Sequence, residues 1–69
     1  MPLSMAKPGE HCVVQRIGGR EESRRFLESL GFVAGASVSV VSAQNGNVIV
    51  NVKDSRVAVS REMANKIMV

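Results

Sequence analysis

The sequence predicts a small, mainly β fold with one helix inserted between its first and second strands. The prediction rests on a change of apolar period across Leu30–Gly35. Before this stretch, the apolar residues of 21–30 recur at helical spacing, and after it residues 36–42 alternate between valine and serine. A glycine lies at each side of the turn and allows the chain to change direction without steric cost.

The first half of the chain contains a predicted strand and the inserted helix. His11–Ile17 is rich in β-branched residues and predicts a first strand, which Gly18-Gly19 ends. Glu21–Leu30 predicts a helix, with two glutamates in its first turn, where the helix dipole favours negative charge. The alternation over Ser37–Ser42 predicts the second strand.

The second half predicts two tight turns between short strands. Asn45-Gly46 is a strong hairpin signal, because both central residues of a type I′ turn need positive φ. Asn47–Lys53 and Arg56–Val59 are the predicted third and fourth strands, and Asp54-Ser55 is the predicted turn between them. Ser60 can cap a final helical turn. The residues expected to face inward from that final segment are Met63, Ala64 and Ile67.

The valines of the second to fourth strands form one continuous apolar face. A meander this short cannot leave that face in water, so we expect it to curl into a small barrel closed by the helix and the C-terminal helical turn. The predicted fold is therefore an SH3-like β-barrel, and residues 1–69 form one domain. The residues expected in the core beside the valines are Phe26, Leu27 and Leu30, and Phe32 is expected either in the core or in an apolar docking patch.

Composition limits the protein class. A chain of 69 residues has room for one hydrophobic core, and its single cysteine cannot form an internal disulfide, which is typical of a reducing compartment. The N-terminal residues lack the pattern of a signal peptide, and no apolar run approaches the roughly 18 residues of a membrane span. These features predict a cytoplasmic protein.

Five segments, in order, resemble the FeoA family, the small component of bacterial ferrous iron transport. They are Lys7–Gly9, Val14–Gly19, Arg24–Gly35, Val38–Val41 and Val57–Ile67. The chain departs from the family pattern at Ala34, where a proline is usual before the glycine. The resemblance implies an SH3-like core domain and a non-enzymatic cytoplasmic protein that binds or regulates FeoB, a membrane permease with a cytoplasmic GTPase domain.

The same fold occurs as a C-terminal domain of iron-dependent repressors. A regulatory or oligomerisation module of a metal-dependent repressor system is therefore an alternative function. Because no DNA-binding segment precedes the predicted domain in this sequence, we expect the transport component instead.

Catalysis and metal binding have little support in the sequence. The chain lacks a phosphate-binding GxxxxGK[ST] loop, and His11 and Cys12 are neighbours on a predicted strand, so their side chains point to opposite faces. We therefore expect no enzyme activity and no cofactor. Two nitrogen or sulfur ligands are too few for a transition-metal site in one chain. Cys12 is expected to be a small core residue and His11 a surface residue, while a weak homo-oligomer with a shared metal site is left open.

The basic residues could indicate that the protein binds nucleic acid. The net charge is +3, and Arg16, Arg20, Arg24 and Arg25 lie close together in the sequence. Small barrels bind single-stranded nucleic acid by stacking bases on aromatic side chains, but this chain has no Trp or Tyr. A small basic nucleic-acid-binding barrel is thus a weaker alternative, and we expect no nucleic-acid partner.

The arginines have two interpretations. The more specific one is a docking surface for an acidic protein, and the simpler one is a helix face exposed only to solvent. We hypothesise that Arg20, Arg24 and Arg25 steer the protein towards an acidic GTPase domain. Phe32 and Val33, in the turn after the helix, would then supply the apolar contact.

Overall fold

The computed structural model describes all 69 residues as six short strands, two α-helices and an N-terminal 3₁₀ turn at Leu3–Met5. The elements are β1 (His11–Val13), β2 (Arg16–Ile17), α1 (Glu21–Ser29), β3 (Ser37–Gln44), β4 (Asn47–Val52), β5 (Ser55–Ser60), α2 (Arg61–Ala64) and β6 (Ile67–Met68). The mainly β fold and the helix between the first strands and the meander are confirmed.

The strands form two separate antiparallel sheets. One has the order β1-β3-β4-β5, and the other pairs β2 with β6. The hydrogen-bonded ladder therefore does not run continuously around a closed barrel, which corrects the expected barrel closure. The predicted single strand over His11–Ile17 was also wrong, because the chain changes sheets in its middle. The Val14 N–H donates to the Ala36 carbonyl (2.9 Å), and the Gln15 N–H donates to the Met68 carbonyl (2.7 Å).

The valine face predicted from alternation forms the centre of the core. The fully or almost fully buried side chains on the meander are Val38, Val40, Val48, Val50, Val52 and Val59. The residues that pack against this face are Leu3 of the 3₁₀ turn, Leu27 of α1, and Val14 and Phe32 of the connecting segments. Ala64 and Ile67 are buried as expected and Met63 is half-buried, but Ile67 lies in β6 rather than in the helical turn.

Both tight turns have left-handed backbone, and one is displaced from its predicted position. Asn45 (φ 48°) and Gly46 (φ 80°) form the expected hairpin turn. The second turn uses Lys53 (φ 48°) and Asp54 (φ 63°), so it begins one residue before the predicted Asp54-Ser55 and β5 begins at Ser55. Val52 is paired with Ser55, which leaves two residues for the loop, and Asp tolerates positive φ because its side chain can bond its own backbone.

Helix α1 ends as predicted, but it buries fewer apolar residues than expected. Leu30 caps it in helical conformation, and Gly31 then adopts φ 110°, which only glycine reaches without strain. Leu27 is fully buried, whereas Phe26 is 50% exposed and was wrongly placed in the core. Successive helical residues are rotated by about 100°, so a helix that directs Leu27 inward turns Phe26 to its flank.

Candidate docking surface on helix α1

Helix α1 contacts the rest of the domain through a narrow stripe of buried side chains, and most of its surface is exposed to solvent. Leu27 is its only buried residue, and Ser23 is half-buried one turn earlier. The remaining residues of the helix are exposed. A helix with so narrow a buried stripe has a broad outer surface available to another protein.

The N-terminal end of the helix is fixed to the segment before β6. The Lys66 ammonium donates a hydrogen bond to the Ser23 hydroxyl (3.1 Å), and the Gly18 N–H donates to the Lys66 carbonyl (2.7 Å). The Lys66 stem also covers Gly19 so closely that a Cβ built there would lie 2.8 Å from Lys66 Cδ. These contacts hold α1 in a defined orientation.

The structure brings two of the three predicted arginines to one flank of the helix. Arg20 and Arg24 are both exposed and four residues apart, and no carboxylate lies within 4.0 Å of either guanidinium. Arg25 lies about 100° further round the helix from Arg24. Its guanidinium forms an exposed ion pair with Glu21 at 3.0 Å. Arg20, the N-cap residue of α1, and Arg24 are therefore the two arginines of this region that form no ion pair.

The structure changes which apolar residues near α1 are available to a partner. Phe32 is completely buried, so its side chain is not available to a partner, and only the half-buried Val33 remains of the predicted pair. Phe26, which the sequence analysis placed in the core, is the exposed aromatic residue of this region. The apolar residues Phe26, Leu27 and Leu30 define a stripe whose exposed edge their spacing does not identify, and only the half-burial of Ser23 in the structure shows that Phe26 lies at that edge.

His11 and Cys12 point to different environments, as the strand pattern predicted. His11 is exposed, while Cys12 is half-buried rather than buried. Burial raises the pKa of the Cys12 thiol above its usual value, and the negative charge of Glu10 raises it further. No three His, Cys, Asp or Glu side chains converge where they could hold a metal ion.

An open groove crosses the outer face of the large sheet. It has a volume of about 600 Å³, and its walls are Ala36, Ser37, Ser39, Asn51, Lys53 and Asp54. Its ionisable groups are one lysine and one aspartate, and no histidine or cysteine lines it.

None of the helices has the length and apolar character needed to span a lipid bilayer.

The FeoA domain family matches residues 1–69, the whole of the sequence. This chain belongs to the FeoA family. A curated relative from Methanocaldococcus jannaschii, provisionally named Fe(2+) transport protein A, is 40% identical over 68 residues, which are 99% of this chain and 83% of the relative. The resemblance stated from the five sequence segments is thus confirmed.

Solved FeoA structures share the fold. A crystal structure of an iron uptake regulatory protein (FeoA) superposes with a TM-score of 0.89 at 32% identity and covers 97% of this chain and 91% of its own. FeoA of Stenotrophomonas maltophilia, solved with zinc and described as a prokaryotic SH3 domain protein, has a TM-score of 0.86 at 26% identity over 99% of this chain and 87% of its own. The SH3-like character of the fold is thus confirmed. A manganese-dependent transcriptional repressor has the same fold (TM-score 0.86, 21% identity), and this chain covers 39% of it.

Proposed function

We propose that this FeoA-family protein is a cytoplasmic accessory protein of ferrous iron transport that acts by binding, without catalysis, and that its partner is the GTPase domain of an FeoB-type permease. The name of the Methanocaldococcus jannaschii relative supports the transport role. The description of the Stenotrophomonas maltophilia protein as a candidate ferrous iron transport activating factor supports a regulatory one.

The observation that carries the proposal is a pair of exposed arginines at the start of α1 that form no ion pair. Arg20 is the N-cap residue of the helix, Arg24 lies one turn later, and neither has a carboxylate within 4.0 Å. Opposite charge on a partner raises the rate of encounter more than it raises the final affinity. Arg20 and Arg24 would therefore steer an acidic GTPase surface towards the helix.

Apolar contact would then slow dissociation. Phe26 exposes half of its side chain on the same helix, and Val33 is half-buried in the turn that follows. Exposed aromatic residues next to arginine are the residue types that dominate binding energy in protein interfaces. Arg25 contributes less to this surface, because Glu21 neutralises part of its charge.

Binding without catalysis agrees with the chemistry of the side chains. The thiol of Cys12 and the imidazole of His11 belong to neighbouring strand residues with opposite directions, so they cannot form a nucleophile–base pair. The raised pKa of Cys12 also keeps the thiol protonated, which lowers its nucleophilicity.

The test is titration of the purified GTPase domain with two charge-reversal variants of equal net charge. The Arg20→Glu/Arg24→Glu variant should bind at least about tenfold more weakly at low salt, and the difference should shrink as salt screens the charges. The matched Lys7→Glu/Arg61→Glu variant changes two exposed cations away from α1 and should bind like the wild type. Far-UV circular dichroism checks that both variants are folded.

A second variant distinguishes the charges that speed association from the apolar contact that slows dissociation. Phe26→Ala should leave the association rate unchanged and raise the dissociation rate, whereas Arg20→Glu/Arg24→Glu should mainly lower the association rate. Ferrous iron uptake in cells should fail with both. If the folded arginine variant binds and supports uptake like the wild type, α1 is a solvated face and the proposed docking surface is wrong.

A further inference from the structure

The groove on the outer face of the large sheet is built on a row of polar residues. In the register of the sheet, Ser39 lies opposite Asn51, and Asn51 lies opposite Arg56. His11 lies opposite Ser39 on the other side. Side chains directly opposite each other on antiparallel strands have their Cβ atoms about 4.5–5.5 Å apart. Polar side chains therefore cross all strands of the sheet in one row, and Ser39 and Asn51 at its centre line the groove.

The polar side chains of the groove have no partner within the chain. None of the wall residues forms a side-chain hydrogen bond or an ion pair. The hydrogen-bond donors of the walls are the Lys53 ammonium and the uncharged side chains of Ser37, Ser39 and Asn51. Asp54 contributes a carboxylate, which only accepts. These groups are bonded to water alone, so a ligand can take the place of that water.

The stem of Lys53 is held at the wall of the groove by packing. A Cβ built on Gly31 would lie 3.2 Å from Lys53 Cδ, so the stem passes closely over that glycine. Lys53 also adopts left-handed backbone, with φ 48°. Lysine rarely adopts this conformation, and residues with such strained backbone cluster at binding and active sites. The turn thus places a cation at the groove where a glycine would be less strained.

Charge at the groove favours an anionic ligand. Lys53 lies in its wall and Arg56 lies one strand away from Asn51, whereas Asp54 supplies the single negative charge. All three charged residues are exposed, and none of them forms an ion pair. The volume of about 600 Å³ falls within the range of small-molecule pockets, roughly 300–1,000 Å³. The groove therefore has the size and the charge to bind a small anion.

The composition of the walls favours a hydrophilic ligand. Ala36 is the only apolar wall residue, whereas pockets for apolar molecules are lined mostly by hydrophobic and aromatic side chains. Nucleobases and proline-rich peptides are bound by contact with aromatic side chains. Both phenylalanines lie elsewhere, since Phe32 is buried and Phe26 is on α1. A small anion with many hydroxyl groups matches these walls better than either of those classes.

We propose that the groove binds a small sugar phosphate. A phosphate monoester carries a charge of about −1.5 to −2 near neutral pH and has three acceptor oxygens. It would accept hydrogen bonds from the Lys53 ammonium and the two serine hydroxyls, and Arg56 would add a second positive charge. The Asp54 carboxylate repels a bare phosphate but accepts from sugar hydroxyls, and the Asn51 amide both donates to them and accepts from them. The site is separate from α1, so this inference does not depend on the proposed transport function.

The groove is open to solvent, so binding should be weak and sensitive to salt. A hexose phosphate has about 16 non-hydrogen atoms, and at the usual binding energy per atom it should bind with a Kd of about 0.1–1 mM. Salt screens exposed charges, so the Kd should rise with ionic strength.

NMR titration of the wild-type chain with glucose 6-phosphate locates the site. The backbone amides that should shift are those of Ser37, Ser39, Asn51, Lys53 and Asp54. Shifts confined to Arg20, Arg24 and the rest of α1 would place phosphate binding on the helix and overturn the proposal.

Three further ligands test the chemical class. Inorganic phosphate and glucose each offer only one half of the contacts, so each should bind at least about fivefold more weakly than glucose 6-phosphate. Gluconate keeps the hydroxyls but carries a single negative charge, and it should also bind more weakly. If inorganic phosphate binds as tightly as glucose 6-phosphate, or if gluconate does, the sugar phosphate is the wrong ligand class.

Two variants of equal net charge test the cation. Lys53→Gln keeps most of the stem but removes the ammonium, and it should weaken glucose 6-phosphate binding at least about fivefold. The matched Lys7→Gln variant removes an exposed lysine charge outside the groove and should bind nearly like the wild type. The amide spectrum of each variant shows whether it is folded. A folded Lys53→Gln protein with the Kd of the wild type would contradict the proposal.

Asp54→Asn tests the role given to the sugar hydroxyls. Asparagine tolerates the left-handed backbone of this turn, so the fold should be retained. The change removes the repulsion of phosphate and weakens the acceptor for hydroxyls, so inorganic phosphate should bind more tightly and the preference for glucose 6-phosphate should fall. An unchanged preference would mean that the hydroxyls do not contact Asp54, and the proposed arrangement of the ligand would be wrong.

Discussion

Replacing each of the two phenylalanines by alanine should separate a core role from a surface role. Phe32 is completely buried and is the largest fully buried side chain, whereas Phe26 is 50% exposed on α1. Phe32→Ala should cost about 3–5 kcal/mol of unfolding free energy, because it removes buried apolar area and leaves a cavity. A domain of this size has a total stability of about 3–10 kcal/mol, so a large part of the variant should be unfolded.

Phe26→Ala is the matched control, since it makes the same chemical change six residues away. Full burial of a phenylalanine contributes about 1.5–3 kcal/mol, so half burial contributes roughly 1 kcal/mol. Alanine has the higher helix propensity and returns about half of that loss. We therefore expect Phe26→Ala to cost less than about 1 kcal/mol and to lower Tm by a few degrees, roughly 4–8 °C per kcal/mol.

Urea titration followed by far-UV circular dichroism measures both variants, because the chain has no Trp or Tyr to report by fluorescence. A Phe26→Ala cost as large as that of Phe32→Ala would refute the assignment of Phe26 to the flank of α1. A small cost for Phe32→Ala would refute the central place of Phe32 in the core.

Three further predictions concern the helix cap, the thiol and metal binding. Ser60→Ala removes the hydroxyl that accepts from the Met63 N–H (3.2 Å) and should cost about 1 kcal/mol in thermal unfolding, while Ser60→Asp keeps an acceptor there and should cost less. Alkylation of Cys12 should show a pH midpoint above that of a free cysteine, and Glu10→Gln should lower the midpoint only in part because burial is the larger cause. The pKa of Cys12 is higher in the folded state than in the unfolded chain. The protonated thiol therefore stabilises the fold at pH values below the pKa of the unfolded thiol, and this contribution is lost as pH rises through the pKa of the folded thiol. Calorimetric titration of the reduced chain with Fe²⁺ or Zn²⁺ should show no submicromolar one-to-one site, and such a site lost in His11→Ala would contradict this.

The meander could be predicted from the sequence because its signals are local. The alternation over Ser37–Ser42 and Asn47–Lys53 and the turn residues Asn45-Gly46 predict two strands, their facing sides and the hairpin between them, which the structure has as Ser37–Gln44 and Asn47–Val52. Each of these features depends on residues only a few positions apart.

The errors arose where distant parts of the chain determine structure. His11–Ile17 has the composition of one strand, but β3 and β6 pull its two halves into different sheets, and β6 itself is too short to leave a pattern. Phe26 was misplaced because periodicity gives the apolar stripe of a helix but not its exact centre. The arginines were identified as a candidate surface, yet only the structure shows which of them are unpaired.

The pairing of β2 with β6 has a consequence for how the protein forms. Ile17 pairs with Ile67, about fifty residues later, and Lys66 in the same late segment holds the start of α1. Contacts between residues far apart in sequence form slowly, because the entropy of closing the loop is lost before the contacts are gained. We therefore expect the meander, whose contacts are closer in sequence, to form early in folding, and α1 to be fixed only when residues 66–68 are in place. Only a completely folded molecule holds its arginine-bearing helix in the orientation that a partner would encounter.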